Sequence, residues 1–193
     1  SSSAASDVYK RQAVVLGCGM EGLLTVAALK TLGINKIIVI DKESEKSRAM
    51  EFGAWEFIGS HGKNGVAGVK DKIRAAAGDM ADAVFICTDS PMGRNVARRF
   101  MKNSGSICEM GFLCGWRRTP TARYFEDSMP AGGRFYAARD YENCMNFLAK
   151  AAEMKLPLYK LITHRYKLEE INEAMWTVVR EEGLGCLLYT SPS

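Results

Sequence analysis

The chain has 193 residues, 47% of them hydrophobic, and carries 26 Lys and Arg against 22 Asp and Glu, a formal charge of +4. That length and apolar content suit one globular domain with a real core. The positive excess is too small and scattered for nucleic acid, and no run approaches the roughly 18 apolar residues of a membrane span.

The first stretch, "DVYKRQ" (Asp7 to Gln12), is polar and basic and suits neither the strand nor the turn that follows. One inverted nucleotide repeat can encode it and, on the reverse complement in another frame, "CLLYTS" (Cys186 to Ser191). That repeat resembles the transposase end of a sequencing-library adaptor. Residues 1–12 and 186–193 are therefore expected to be non-native tails, to be left out of fold reasoning. The part between, about Ala13 to Gly185, is expected to be a fragment.

Val14 to Leu16 is a short apolar run ending in glycine, and predicts a strand. Met20 to Leu32 repeats apolar residues at helical spacing and stops at Gly33. "KIIVID" (Lys36 to Asp41) is an apolar strand closed by an acid. "SEKSRAMEFG" predicts a helix with a serine start and a stop at Gly53, "AWEFI" a weaker strand, and "VKDKIRAAAG" a helix ending at Gly78. "DAVFICT" is another buried strand. "MGRNVARRFMKNSG" is expected to be helical as far as Gly105, with "SICEMG" a strand after it. Gly115 to Gly133 reads as irregular. A helix is expected from Tyr141 to about Lys155, an extended "LPLYKLITHRYKL", and a last amphipathic helix in "LEEINEAMWTVVREEG".

Strands alternate with helices, and the best strands are apolar throughout, as when helices cover both faces. The expected fold is α/β, a doubly wound parallel sheet. Cys18, Cys87 and Cys108 lie in or beside apolar runs, and neither they nor Cys114 and Cys144 form a C-x-x-C pair or a zinc spacing. Buried reduced thiols are the expectation, which suits the cytoplasm.

"GCGMEG" supplies Gly17, Gly19 and Gly22, a G-x-G-x-x-G that follows a strand and opens a helix. Gly17 permits the tight turn, Gly19 lets a pyrophosphate approach the backbone, and Gly22 lets the helix lie close. N–H groups at the helix start face the anion. Asp41 closes the second strand, where a carboxylate accepts both ribose hydroxyls of NAD and repels the phosphate of NADP. Glu21, in the first helical turn, adds negative charge near the expected phosphates.

The segment from Val14 through "VVLGCGMEGLLTVAALKTLGINKIIVIDKESEKSRAMEFGA" resembles the cofactor domain of zinc-type medium-chain alcohol and polyol dehydrogenases. "LITHRYKLEEINEAM" resembles the more specific stretch by which that family returns to its catalytic domain. The resemblance implies a Rossmann domain over residues 13–155 and a return segment over 156–185. It implies cofactor contacts from Gly17, Cys18, Gly19, Met20, Glu21, Gly22, Asp41 and Lys46, and from Cys87, Thr88, Met110, Gly111 and Phe112 at two further strand ends. This chain has Asp89 where the family usually has glycine.

The implied activity is hydride transfer between an alcohol and NAD, with zinc polarising the alcohol oxygen in the full-length enzyme. The zinc ligands would lie before Ala13, so no catalytic or metal-binding residue is expected within the chain, and a homo-oligomer is expected of the complete enzyme. His61 and His164 are the only histidines, and neither suits a ligand role. A short-chain dehydrogenase needs Tyr-x-x-x-Lys, which is absent. A methyltransferase has no place for the return segment. The remaining alternative is a stand-alone nucleotide-sensing Rossmann module.

Overall fold

The computed structural model describes residues 11–60, 65–88, 91–110, 138–180 and 187–190. Strands β1 (Gln12–Leu16), β2 (Lys36–Asp41), β3 (Glu56–Gly59), β4 (Ala81–Ile86) and β5 (Met101–Glu109) form one sheet in the order β3-β2-β1-β4-β5. All four pairings are parallel. The helices are α1 (Met20–Thr31), α2 (Lys46–Glu51), α3 (Gly65–Ala77), α4 (Pro91–Ala97), α5 (Ala138–Glu153) and α6 (Ile171–Arg180).

Alternation along β1 explains why it sits in the middle. Val14 and Leu16 point into one apolar cluster with Val69 and Ile73 of α3 and Phe100. Ala13 and Val15 point into the other, with Leu23 and Val26 of α1, Phe52, and Leu161 from beyond α5. Both faces of the sheet are thus covered, and continuously apolar strands are what such burial requires.

The expected stops at Gly33, Gly53 and Gly78 each follow a helix and have positive φ. Three expectations are corrected. The serine start of α2 is absent: a 3-10 turn, Glu43–Glu45, comes first, and the Ser44 hydroxyl donates to Glu45 Oε1 at 3.4 Å rather than capping the helix. The helix expected to reach Gly105 ends in a 3-10 turn at Phe100, and β5 begins at Met101. Phe100 and Met101 are buried, and the register against β4 jumps from Met101↔Ala81 to Ser106↔Ala83, so Lys102 to Ser104 form the polar outside of a bulge that hides the strand pattern. "LPLYKLITHRYKL" is only partly extended, with a 3-10 turn at Leu158–Leu161 before β6 (Ile162–Tyr166). The irregular segment Gly115 to Gly133 lies outside the described residues.

The two proposed tails each touch a described strand. Gln12 is the buried first residue of β1; its backbone N–H donates to Asp82 Oδ2 at 2.7 Å and its side-chain amide to the Ala77 carbonyl at 2.9 Å. β7 (Leu187–Thr190) pairs in parallel with β6.

Asp82 also accepts from Lys102 Nζ at 2.8 Å, tying β1, β4 and β5 at their amino ends. Burial pushes the Asp82 pKa up, but the Lys102 hydrogen bond, the Gln12 amide and the nearby positive charges outweigh it, and the net shift is downward. A carboxylate with a lowered folded pKa stabilises above its unfolded pKa, and that contribution is lost as pH falls through the folded value. Melts of the wild type and Asp82→Asn should therefore differ by a constant gap near neutral pH that closes below about pH 4. A gap independent of pH down to 2.5 would rule out this role.

Candidate functional site at the carboxyl ends of the strands

β1 leads to β2 and β3 on one side and has β4 and β5 on the other, so a crevice opens where the connections diverge. The glycine turn fills the lip of that crevice. Gly17 has φ +100°, and its N–H donates to the Ile40 carbonyl at 3.0 Å. A side chain there would also overlap the Cys87 carbonyl, which lies just beyond β4. Gly19 is the N-cap of α1 and offers no side-chain cap, so the first-turn N–H groups of the helix, from Met20 to Gly22, point out of its N-terminal end. Gly22 lets α1 press against the turn itself: a methyl on it would overlap the Gly17 carbonyl oxygen.

The Asp41 carboxylate reaches across from β2 and clamps this turn. Its Oδ2 accepts from the Cys18 N–H at 2.6 Å, and its Oδ1 from the Lys42 N–H at 2.7 Å. Cys87 and Thr88 lie on the other side of Gly17, with Thr88 Cβ 3.2 Å from where a Gly17 Cβ would sit. Met110 prolongs β5, its N–H donating to Ile86 at 2.9 Å, and is half exposed. Gly17, Cys18, Gly19, Met20, Glu21, Gly22, Asp41, Cys87, Thr88 and Met110 thus share one edge of the sheet. Lys46 stands further out, paired with Glu43 at 3.9 Å on the surface. Gly111, Phe112 and Asp89 lie outside the described residues.

Two features had no clear signal in the sequence. Thr25, one turn into α1, donates to the Glu21 carbonyl at 2.7 Å and lies 3.5 Å from Cys87 Sγ, joining the helix start to the end of β4. Gly93 of α4 gives Thr88 room: a methyl on it would come within 2.6 Å of Thr88 Cγ2. The first pairing joins segments 62 residues apart in the chain.

Neither buried thiol suits nucleophilic or ligand chemistry. Burial, aided by the Asp41 and Glu45 charges and opposed by Arg48, raises the Cys18 pKa to about 12. Burial raises that of Cys87 to about 12 as well, against the Thr25 hydrogen bond. Cys108 is half-buried and Cys144 exposed, which departs from the expectation of burial for Cys108; Cys114 lies outside the described residues. His164 is half-buried and stacks on Tyr166, while His61 lies outside the described residues. Among the described residues no group of three or more His, Cys, Asp or Glu could hold a metal ion. The described residues do not fit a zinc site, and none of the described helices is long and apolar enough to cross a membrane.

A family model described as zinc-binding dehydrogenase matches residues 22–150. The chain belongs to the zinc-binding dehydrogenase family. Sorbitol dehydrogenase 1 of Saccharomyces cerevisiae is 28% identical over 171 residues, which are 86% of this chain and 47% of that protein. An alcohol dehydrogenase of Thermotoga maritima superposes with a TM-score of 0.81 at 22% identity, over 97% of this chain and 53% of its own. A short chain alcohol dehydrogenase of E. coli, complexed with the cofactor NADH, does so with a TM-score of 0.72 at 18% identity, over 97% and 56%. The chain spans about half the length of these dehydrogenases. The two solved structures share the α/β Rossmann-like fold of parallel strands and flanking helices seen here.

Proposed function

We propose that this chain is the cofactor-binding part of an NAD-dependent, zinc-type alcohol or polyol dehydrogenase. The observation that carries the reading is the Asp41 clamp on the glycine turn, which places a carboxylate acceptor and the N-terminal end of α1 around one crevice. Support comes from the family, from the sorbitol dehydrogenase relative and from the NADH in one structural neighbour.

When bound, the nicotinamide ring exchanges a hydride with the carbon of the alcohol. This chain's part is to hold and aim the dinucleotide. The Met20, Glu21 and Gly22 amides donate to the pyrophosphate, helped by the positive end of the helix dipole. Asp41 accepts from the adenosine ribose while keeping Cys18 N–H in place. Cys87, Thr88 and Met110 line the path toward the nicotinamide. Gly111 and Phe112 join them by the family resemblance alone. Glu21 is exposed, so its charge is solvated and weakens phosphate binding only modestly. Zinc would serve the complete enzyme, and no step is assigned to it here because the described residues offer no ligand set.

No observation favours the regulatory-module reading. The complete enzyme is proposed to be a homo-oligomer of the cytoplasm. Residues 13–155 form the proposed cofactor domain and 156–185 the proposed return segment. The test is fluorescence titration of the 193-residue chain with NADH, beside an alcohol and polyol panel with and without zinc. Saturable NADH binding without turnover is expected. Absence of any NADH binding, or zinc-dependent oxidation by this chain, would contradict the reading.

A further inference from the structure

We propose that Glu43 is a second specificity-determining carboxylate, which with Asp41 sets the ribose end of the site against a 2′-phosphate. This rests on the NAD reading above. Asp41 and Gly59 are register partners across β2 and β3. Glu43 Oε2 lies over Gly59, 2.5 Å from where a Cβ would stand, so the missing side chain makes room for the carboxylate. Glu43 therefore hangs over the carboxyl end of β3, one strand from Asp41, a spacing of about 4.8 Å in a sheet.

Glu43 also pairs with a cation of the segment that follows β2. Its Oε1 is 3.9 Å from Lys46 Nζ, in the first turn of α2. The next cation, Arg48, is held in the same way: its Nη1 meets Glu45 Oε2 at 3.0 Å. Each base thus carries an acid three residues before it. Lys42 is the remaining cation, with Asp41 beside it. Between Asp41 and Arg48 three acids balance three bases, so the segment is neutral and offers a dianionic phosphate no surplus charge. Removing Glu43 leaves the segment one net positive charge and releases Lys46 from its acid partner.

Glu43 and Lys46 are largely exposed, so the effect is modest and screened by salt. The test measures NADH and NADPH dissociation constants for the 193-residue chain and for Glu43→Gln, Asp41→Asn and the double variant. Glu153→Gln, a charge removed from the exposed end of α5, is the control. At low ionic strength Glu43→Gln should lower the ratio of the NADPH to the NADH dissociation constant about threefold to fivefold, and that change should recur on the Asp41→Asn background. It should fade in about 0.5 M salt. Normal NADH binding with an unmoved NADPH-to-NADH ratio, or an equal shift from Glu153→Gln, overturns this inference alone. Failure of the wild type to bind either dinucleotide overturns the cofactor reading and this inference with it.

Discussion

Gly22→Ala should destabilise the domain by about 3 kcal/mol and remove measurable NADH binding. Overpacking costs that much when neither side can yield, and here neither can. The new methyl would overlap the backbone carbonyl of Gly17, not a mobile side chain. Gly17 is itself fixed by its N–H bond to Ile40 and by contact with the Cys87 carbonyl. Relief therefore requires α1 to move off the turn, which withdraws the three amides proposed to meet the pyrophosphate. For a chain of this size the melting temperature should fall by roughly 6–12 °C. Thermal melts and NADH titration check both parts, and an unchanged melting temperature with normal binding would show that the helix does not press on the turn.

Asp41→Ala should weaken NADH binding by about tenfold to a hundredfold, the range for a hydrogen bond to a charged group. It removes a proposed ribose acceptor and also leaves the Cys18 N–H, 2.6 Å from the carboxylate in the wild type, without its partner. An orphaned buried donor costs about 1–3 kcal/mol, and Cys18 is almost wholly buried. The melt should therefore move as well as the affinity. Asp41→Asn keeps one acceptor oxygen and should lie between the two. An Asp41→Ala chain whose NADH dissociation constant stays within twofold of wild type would remove Asp41 from the site.

The regular part of this fold was legible because its signals are local. "KIIVID" predicts Lys36 to Asp41, and β2 has those bounds. The glycine stops come out where short helices end, since positive φ depends on the residue itself. β5 was misplaced because "ARRFMKNSG" carries basic and polar residues at helical spacing, whereas its strand character comes from β4. Lys102 is drawn to Asp82, and the chain bulges between Met101 and Ser106. The site divides in the same way. The turn glycines and Asp41 follow a spacing that chain geometry imposes. The Thr25 link to Cys87, and Glu43 over Gly59, arise only when distant strands are laid side by side.

The placing of β1 bears on how the protein breathes. Val14 and Val15 are wholly buried, pair with β2 and β4, and are roofed by a cluster on either face. No partial opening of one helix uncovers them, so their amide protons exchange with solvent water only through unfolding of the whole domain. The glycine turn hangs from the end of this same strand. Its anchor is thus expected to exchange more slowly than the edge strands β3 and β5, which carry Gly59 and lead to Met110 at the rim of the crevice.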